Sequence, residues 1–128
     1  MDINNIIPLI AEDEIWRVPV IDGIKFDRYL VSTYGRVISL NYKGTGEIKL
    51  LKLNINNNGY YKVTLWHNKQ AYPMMVHRLT AIVFSDLVVN DDPVNKKCVA
   101  HRDKNHFNNH VDNLYWLEYD PYKELRKR

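Results

Sequence analysis

The sequence predicts an α+β fold: a small antiparallel β module, then a helix, then a ββα finger. Three observations predict it. Residues 14–75 are written in short β-rich runs separated by turn residues. At Val76 the apolar period changes from that of a strand to that of a helix. Beyond a connector, two short strands flank a loop and lead into a helix that starts on proline.

The size of the chain bounds what these elements can be. At 128 residues and 15.2 kDa it admits one compact domain or two small modules. With 45% hydrophobic and 26% charged residues it can build a modest core, which argues against disorder through most of its length. No run approaches the roughly 20 apolar residues of a membrane span, so no membrane role is expected. No basic residue precedes Arg17, so the start of a secretory signal is lacking. The single Cys98 excludes an internal disulfide and zinc sites built on paired cysteines; a cytoplasmic setting is expected. The net charge of +3 is uneven: residues 1–15 carry −4, which leaves +7 on the remainder. A basic body suits a polyanion, although solubilising surface charge explains +7 equally well.

Taken in order, residues 1–13 read as an acidic leader or a short helix on the body. Tyr29–Ser32 and Arg36–Leu40 are strands joined by the turn Thr33-Tyr34-Gly35. Lys43–Gly46 turns the chain into a run from Ile48 to Leu53. Asn54–Gly59, rich in asparagine, reads as a loop that tolerates left-handed backbone. Tyr60–Trp66 alternates and is turned back at Asn68-Lys69 into Ala71–Met75. From Val76 a helix to about Ser85 is expected, with Val76, Leu79, Ile82 and Val83 on its buried face. Asp91-Asp92-Pro93 connects to strands at Lys97–His101 and Asn113–Leu117. Asp120 before Pro121 caps a last helix, Tyr122–Lys127, whose basic end suits its dipole.

Two stretches carry a family resemblance. One is Glu14-Ile15-Trp16-Arg17 with Tyr29-Leu30-Val31-Ser32-Thr33-Tyr34-Gly35-Arg36-Val37-Ile38-Ser39. The other is Val76-His77-Arg78-Leu79, continued by Val99-Ala100-His101-Arg102-Asp103, Asn108-Asn109 and Asn113-Leu114-Tyr115-Trp116. Together they resemble the phage-type HNH homing endonucleases over nearly the whole chain after Asp13. The resemblance implies a leader at 1–13, a nuclease-associated β module at 14–75 and an HNH-like ββα domain at 76–128. It implies metal-assisted hydrolysis of DNA, with a neutral histidine taking the proton from water. His101 stands at the general-base position and Asn113 at the position that braces the hairpin.

The metal positions depart from the pattern. Ala100 occupies the first ligand position, and Tyr122, nine residues after Asn113, occupies the second. A methyl group cannot coordinate, and a neutral phenol is a poor ligand for Mg²⁺. No metal or other cofactor is therefore expected, unless Asp103 or Asp120 reconstitutes a Mg²⁺ site. Arg17, Lys25, Arg28, Arg36, Lys62, Arg78 and Arg126 are candidate phosphate contacts, against a default of solvated surface. As given, the chain leaves no room for the further recognition segment common in this family.

Other readings stand beside these. A zinc site from His101, Asp103, His106 and His110 lacks a cysteine partner and convergent placement, so exposed loop histidines are expected at His106 and His110. Asn108 and Asn109 are expected to satisfy loop backbone groups. Tyr60, Tyr61, Trp66 and Tyr72 could stack on bases, but cross-strand packing is the commoner use. Trp16 and Trp116 are expected in the core. Three functions follow: a nuclease-derived DNA binder with an impaired site, including a phage inhibitor of a host defence complex; an active nicking endonuclease; or an interaction module without a nucleic-acid role.

Overall fold

The computed structural model describes residues 11–90 and 98–117. The connector at Asp91–Pro93, most of the leader and the final helix, with Glu118, Asp120, Tyr122 and Arg126, lie outside the described residues. The fold is α+β, with small antiparallel sheets and one helix among the described residues. In chain order come β1 (Trp16–Arg17), β2 (Val20–Ile21), β3 (Ile24–Lys25), β4 (Tyr29–Ser32), β5 (Val37–Tyr42) and β6 (Glu47–Leu50). Then follow β7 (Asn54–Ile55), β8 (Tyr61–His67), β9 (Gln70–Met75) and helix α1 (Val76–Val83). After the helix come β10 (Val89–Asn90), β11 (Cys98–His101), a 3-10 turn (Val111–Asn113) and β12 (Leu114–Leu117).

Strands β1, β4, β5 and β6 form one sheet in that order; β7, β8 and β9 form a second. The β4–β5 turn falls at Thr33–Gly35, where Gly35 takes φ +76. Asn68 and Lys69 both have positive φ, 50 and 64, the left-handed pair of the primed turns that match strand twist in a hairpin. Along β8 the alternation is clean: Val63 and Leu65 face inward, while Lys62, Thr64 and Trp66 face out.

The expected strand at Ile48–Leu53 is divided between two sheets. It pairs with β5 as far as Leu50, and Leu51 N–H still donates to Val37 O at 2.8 Å. Leu51 and Leu53 then pack half-buried on the core, which turns the chain toward the second sheet. Asn54–Ile55, expected in a loop, consequently pairs with Lys62 and Tyr61. Only Asn56–Gly59 turns, closed by Asn56 Oδ1, which accepts from Asn58 N and Tyr60 N at 3.0 Å each.

Helix α1 is shorter than expected, ending at Val83, and its buried face is rotated. Val76, Leu79, Thr80 and Ala81 are the buried residues, whereas Ile82 and Val83 are only half-buried. The helix touches β2, β4, β8, β9, β11 and β12, so more than one stripe is covered. Thr80 enters the core because its hydroxyl donates to Val76 O at 2.8 Å, which satisfies the polar group locally. At the helix end Arg17 Nη1 donates to Val83 O (3.3 Å), and its guanidinium pairs with Asp86 at 2.7 and 3.0 Å over the Phe84 ring. That cation satisfies an orphan carbonyl at the negative end of the helix.

In the finger, β12 lies between β11, antiparallel, and β10, parallel, a pairing the sequence pattern did not suggest. One hydrophobic cluster runs from Phe26, Val31 and Leu65 through Leu79 and Phe84 to Leu114 and Trp116. It crosses the boundary at 75/76 without a break. Trp116 is buried and Trp16 half-buried, and neither indole N–H finds a hydrogen-bond partner among the described residues.

Candidate functional site

His101 ends β11, opposite Leu114 in register, where the hairpin opens into the 102–110 loop. The loop is built from local hydrogen bonds. Asp103 Oδ1 accepts from Asn105 N (2.8 Å) and Asn113 Nδ2 (2.9 Å), and Asp103 Oδ2 accepts from Asn108 Nδ2 (3.0 Å). Asn113 also donates to Asn108 O (2.7 Å) and accepts from Asp103 N (3.2 Å), so one amide spans both sides of the opening. Hydrogen bonds from Asn108, Asn105 and Asn113 hold the Asp103 carboxyl below its ordinary range.

Around His101 the side chains form an aromatic stack. Tyr60 is sandwiched between His106 (ring centroids 4.0 Å, 8° apart) and His77 (4.9 Å, 29°). The His101 ring lies 5.2 Å from that of His77 and 5.5 Å from that of His106. Burial and the neighbouring His101, His106 and Arg78 push His77 down to about 4, and its Nδ1 is buried without a partner among the described residues. Burial also lowers His101, opposed by its hydrogen bond to Asn109, so the ring is neutral at neutral pH.

Several sequence expectations are corrected here. His106 and His110 are half-buried rather than exposed; His110 packs on Tyr34 at 4.5 Å and its Nδ1 accepts from Asp112 N at 3.1 Å, capping the 3-10 turn. Asn109 does not serve loop backbone groups with its oxygen: Oδ1 lies 2.7 Å from His101 Nε2. Tyr60, Tyr61 and Tyr72 are packed, on the histidines, Phe107 and Phe26 respectively, whereas Trp66 is 55% exposed.

The candidate phosphate contacts divide by burial and pairing. Lys25, Arg28, Lys62 and Arg78 are exposed. Arg17 is committed to Asp86 and the end of α1. Arg36 pairs with the buried carboxylate of Glu14 through Nε (2.9 Å) and Nη2. Burial raises the Glu14 carboxyl, but hydrogen bonds from Arg36, Ser32 and Ala11 outweigh it and leave the group below its ordinary range.

The described residues offer no fit for the divalent cation that the HNH pattern implies; Asp120 and Tyr122 lie outside them. Ala100 contributes a methyl group beside His101, and both Asp103 oxygens are already taken by three N–H donors. Among the described residues no group of three His, Cys, Asp or Glu gathers to hold a metal ion.

Away from His101, a cleft of about 1000 Å³ lies between the first two sheets. Arg28, Tyr42, Lys43, Thr64, Trp66 and Lys69 line it. The signal for it was the outward half of the β8 alternation, which places Trp66 on the exposed face.

The fold and the His101 hairpin define a class, and comparison with known proteins agrees: the chain is similar to HNH homing endonucleases in both sequence and fold. Residues 14–66 match the NUMOD4 motif. Over 90 residues the chain is 34% identical to the H-N-H endonuclease F-TflII of Escherichia phage T5, covering 70% of this chain and 42% of that protein. Over 110 residues it is 36% identical to an uncharacterized HNH endonuclease of Acanthamoeba polyphaga mimivirus, covering 85% of this chain and 25% of that one. The solved structure of the HNH homing endonuclease I-HmuI, which describes DNA binding and cleavage, superposes with a TM-score of 0.62 at 31% identity. That match covers 81% of this chain and 52% of the other, so the chain spans about half the solved relative or less of the curated ones. Among the described residues no helix is long and apolar enough to cross a membrane.

Proposed function

We propose that this chain is a nuclease-derived DNA-binding protein whose cleavage chemistry is impaired. The contrast at the end of β11 carries the reading: His101 sits neutral and hydrogen-bonded at the mouth of an intact HNH-type hairpin, while Ala100 beside it offers only a methyl group. The I-HmuI relationship supports DNA as the partner. The inter-sheet cleft supports it too, because Arg28, Lys43 and Lys69 line it together with an exposed Trp66, against one carboxylate, Asp27. Cations there pair with phosphates, and the indole stacks on a base or sugar. Lys62 and Arg78 extend the basic surface, while Arg17 and Arg36 hold the fold together.

In this reading His101 is a relic base: its free ring nitrogen can still take a proton from water. A bound divalent cation would supply charge stabilisation at the phosphate and the departing oxygen, for which the described residues offer no ligand set. Supercoiled plasmid with Mg²⁺ or Mn²⁺ tests the reading. The expected result is retarded but intact plasmid, with nicking gained in the Ala100→Asp, Tyr122→Asn double variant. Wild-type nicking that disappears in His101→Ala would overturn it in favour of an active endonuclease, with Asp120 the first acidic residue to test. An inhibitory role toward a host defence complex needs a preserved surface and no catalysis; stable co-purification with such a complex is its test.

A further inference from the structure

We propose that Asn109 is the positioning residue of His101, and that the β4–β5 turn of the NUMOD4 segment holds Asn109 in place. The proposal rests on the reading of His101 as the family's base, but it concerns a hydrogen bond rather than cleavage.

The first observation is the bond itself. His101 Nε2 and Asn109 Oδ1 are 2.7 Å apart, with His101 only 7% and Asn109 only 3% exposed. An amide oxygen accepts and cannot donate, so Nε2 carries the proton and the neutral ring keeps its lone pair on Nδ1. The amide thereby fixes both the tautomer and the ring plane. That is the role usually given to a carboxylate or carbonyl behind an acid–base histidine.

The second observation is what stands behind Asn109. Three consecutive turn residues meet three consecutive loop residues. Gly35 abuts Asn109 so closely that a Cβ on it would lie 2.6 Å from Asn109 Cβ and 3.0 Å from Asn109 O. Tyr34 packs edge-on against His110 at 4.5 Å. Thr33 O accepts from Val111 N at 2.9 Å. The turn is itself braced by Ser32 Oγ, which accepts from Tyr34 N (3.1 Å) and Arg36 N (3.2 Å). Asn109 is therefore clamped between a histidine of the finger and a glycine of the β module. The module acts as the back wall of the site, not only as a DNA contact.

The test is proton NMR of the full chain with ¹⁵N-labelled histidine. The expected wild-type result is a His101 Nε2–H resonance protected from exchange, with contacts to Asn109. In Asn109→Leu its exchange becomes at least roughly tenfold faster. Asn109→Asp, which keeps an acceptor oxygen, restores protection. No protected Nε2–H in the wild type, or protection that survives in Asn109→Leu, would overturn the proposal. The wild-type spectrum decides even if a variant fails to fold. Because the readout is independent of nicking, plasmid that stays intact leaves this inference standing, and a missing Nε2–H resonance removes it whether or not the plasmid is nicked; nicking itself bears on the impaired-cleavage reading alone.

Discussion

At His77 a half-buried imidazole packs between Tyr60 and the finger with Nδ1 unsatisfied among the described residues, and it is pushed from its ordinary 6.5 to about 4. The folded protein therefore resists protonation that the unfolded chain accepts. Between these two values the unfolded state binds more protons, so its contribution to stability is full above about 6.5 and is lost as pH falls toward about 4. The loss expected from His77 is on the order of 2 kcal/mol, discounted for residual solvent contact. Urea unfolding at pH 7 and pH 4.5 measures it, and His77→Phe should flatten much of the difference. His101, lowered in the same direction by burial, adds to the effect. Glu14, held below its usual range by Arg36, adds a loss at still lower pH. The sequence places His77 and His101 in its family pattern, but nothing in their spacing reveals that both lie within reach of Tyr60. That depends on how the turn at Asn56–Gly59 presents the tyrosine.

Among the elements, the β4–β5 turn has the most consequence for its length. Gly35→Ala imposes φ +76 on an alanine and drives its Cβ into Asn109. Gly44 has a similar φ, +74, but open space where a Cβ would stand. The left-handed strain alone costs roughly 1 to 2 kcal/mol and applies to both substitutions. The Gly35 variant should lose about 1 to 3 kcal/mol more, since a backbone carbonyl and a buried side chain must move. Chemical denaturation of the two variants separates strain from contact, and equal losses would show that the Asn109 approach is soft. The turn itself was legible, because Gly between two β-rich runs announces it. Its docking partner was not, since the loop at 109–111 lies more than seventy residues away in the chain. Helix α1 shows the same division: its apolar period located it, yet neighbours on several sides rotated its buried face toward Thr80 and Ala81.

For the molecule as a whole, one hydrophobic cluster joins the β module, α1 and the finger, so a change in one segment is transmitted by packing to the others. The proposed DNA contact likewise draws on more than one element, because the cleft is made by two sheets that are separate in sequence. If Arg28, Lys43 and Lys69 each meet a phosphate, replacing all three with Gln should flatten the slope of log affinity against log salt by about 2 to 3. Trp66→Ala should weaken binding by roughly 1 to 3 kcal/mol if the indole stacks on the nucleic acid. Gel-shift titrations across salt concentrations check both, and an unchanged slope would take the cleft out of the interface. By itself the sequence determined the α+β class, the hairpin turns, the helix start and the family pattern around His101 and Asn113, because periodicity and turn chemistry are settled by neighbours in the chain. Only the tertiary structure decided that Asn109 reaches His101, that Arg17 closes a helix, that residues 48–55 serve two sheets, and that Trp66 faces a basic cleft. Those outcomes depend on which distant surfaces meet, and the free energy that selects them comes from packing the common core.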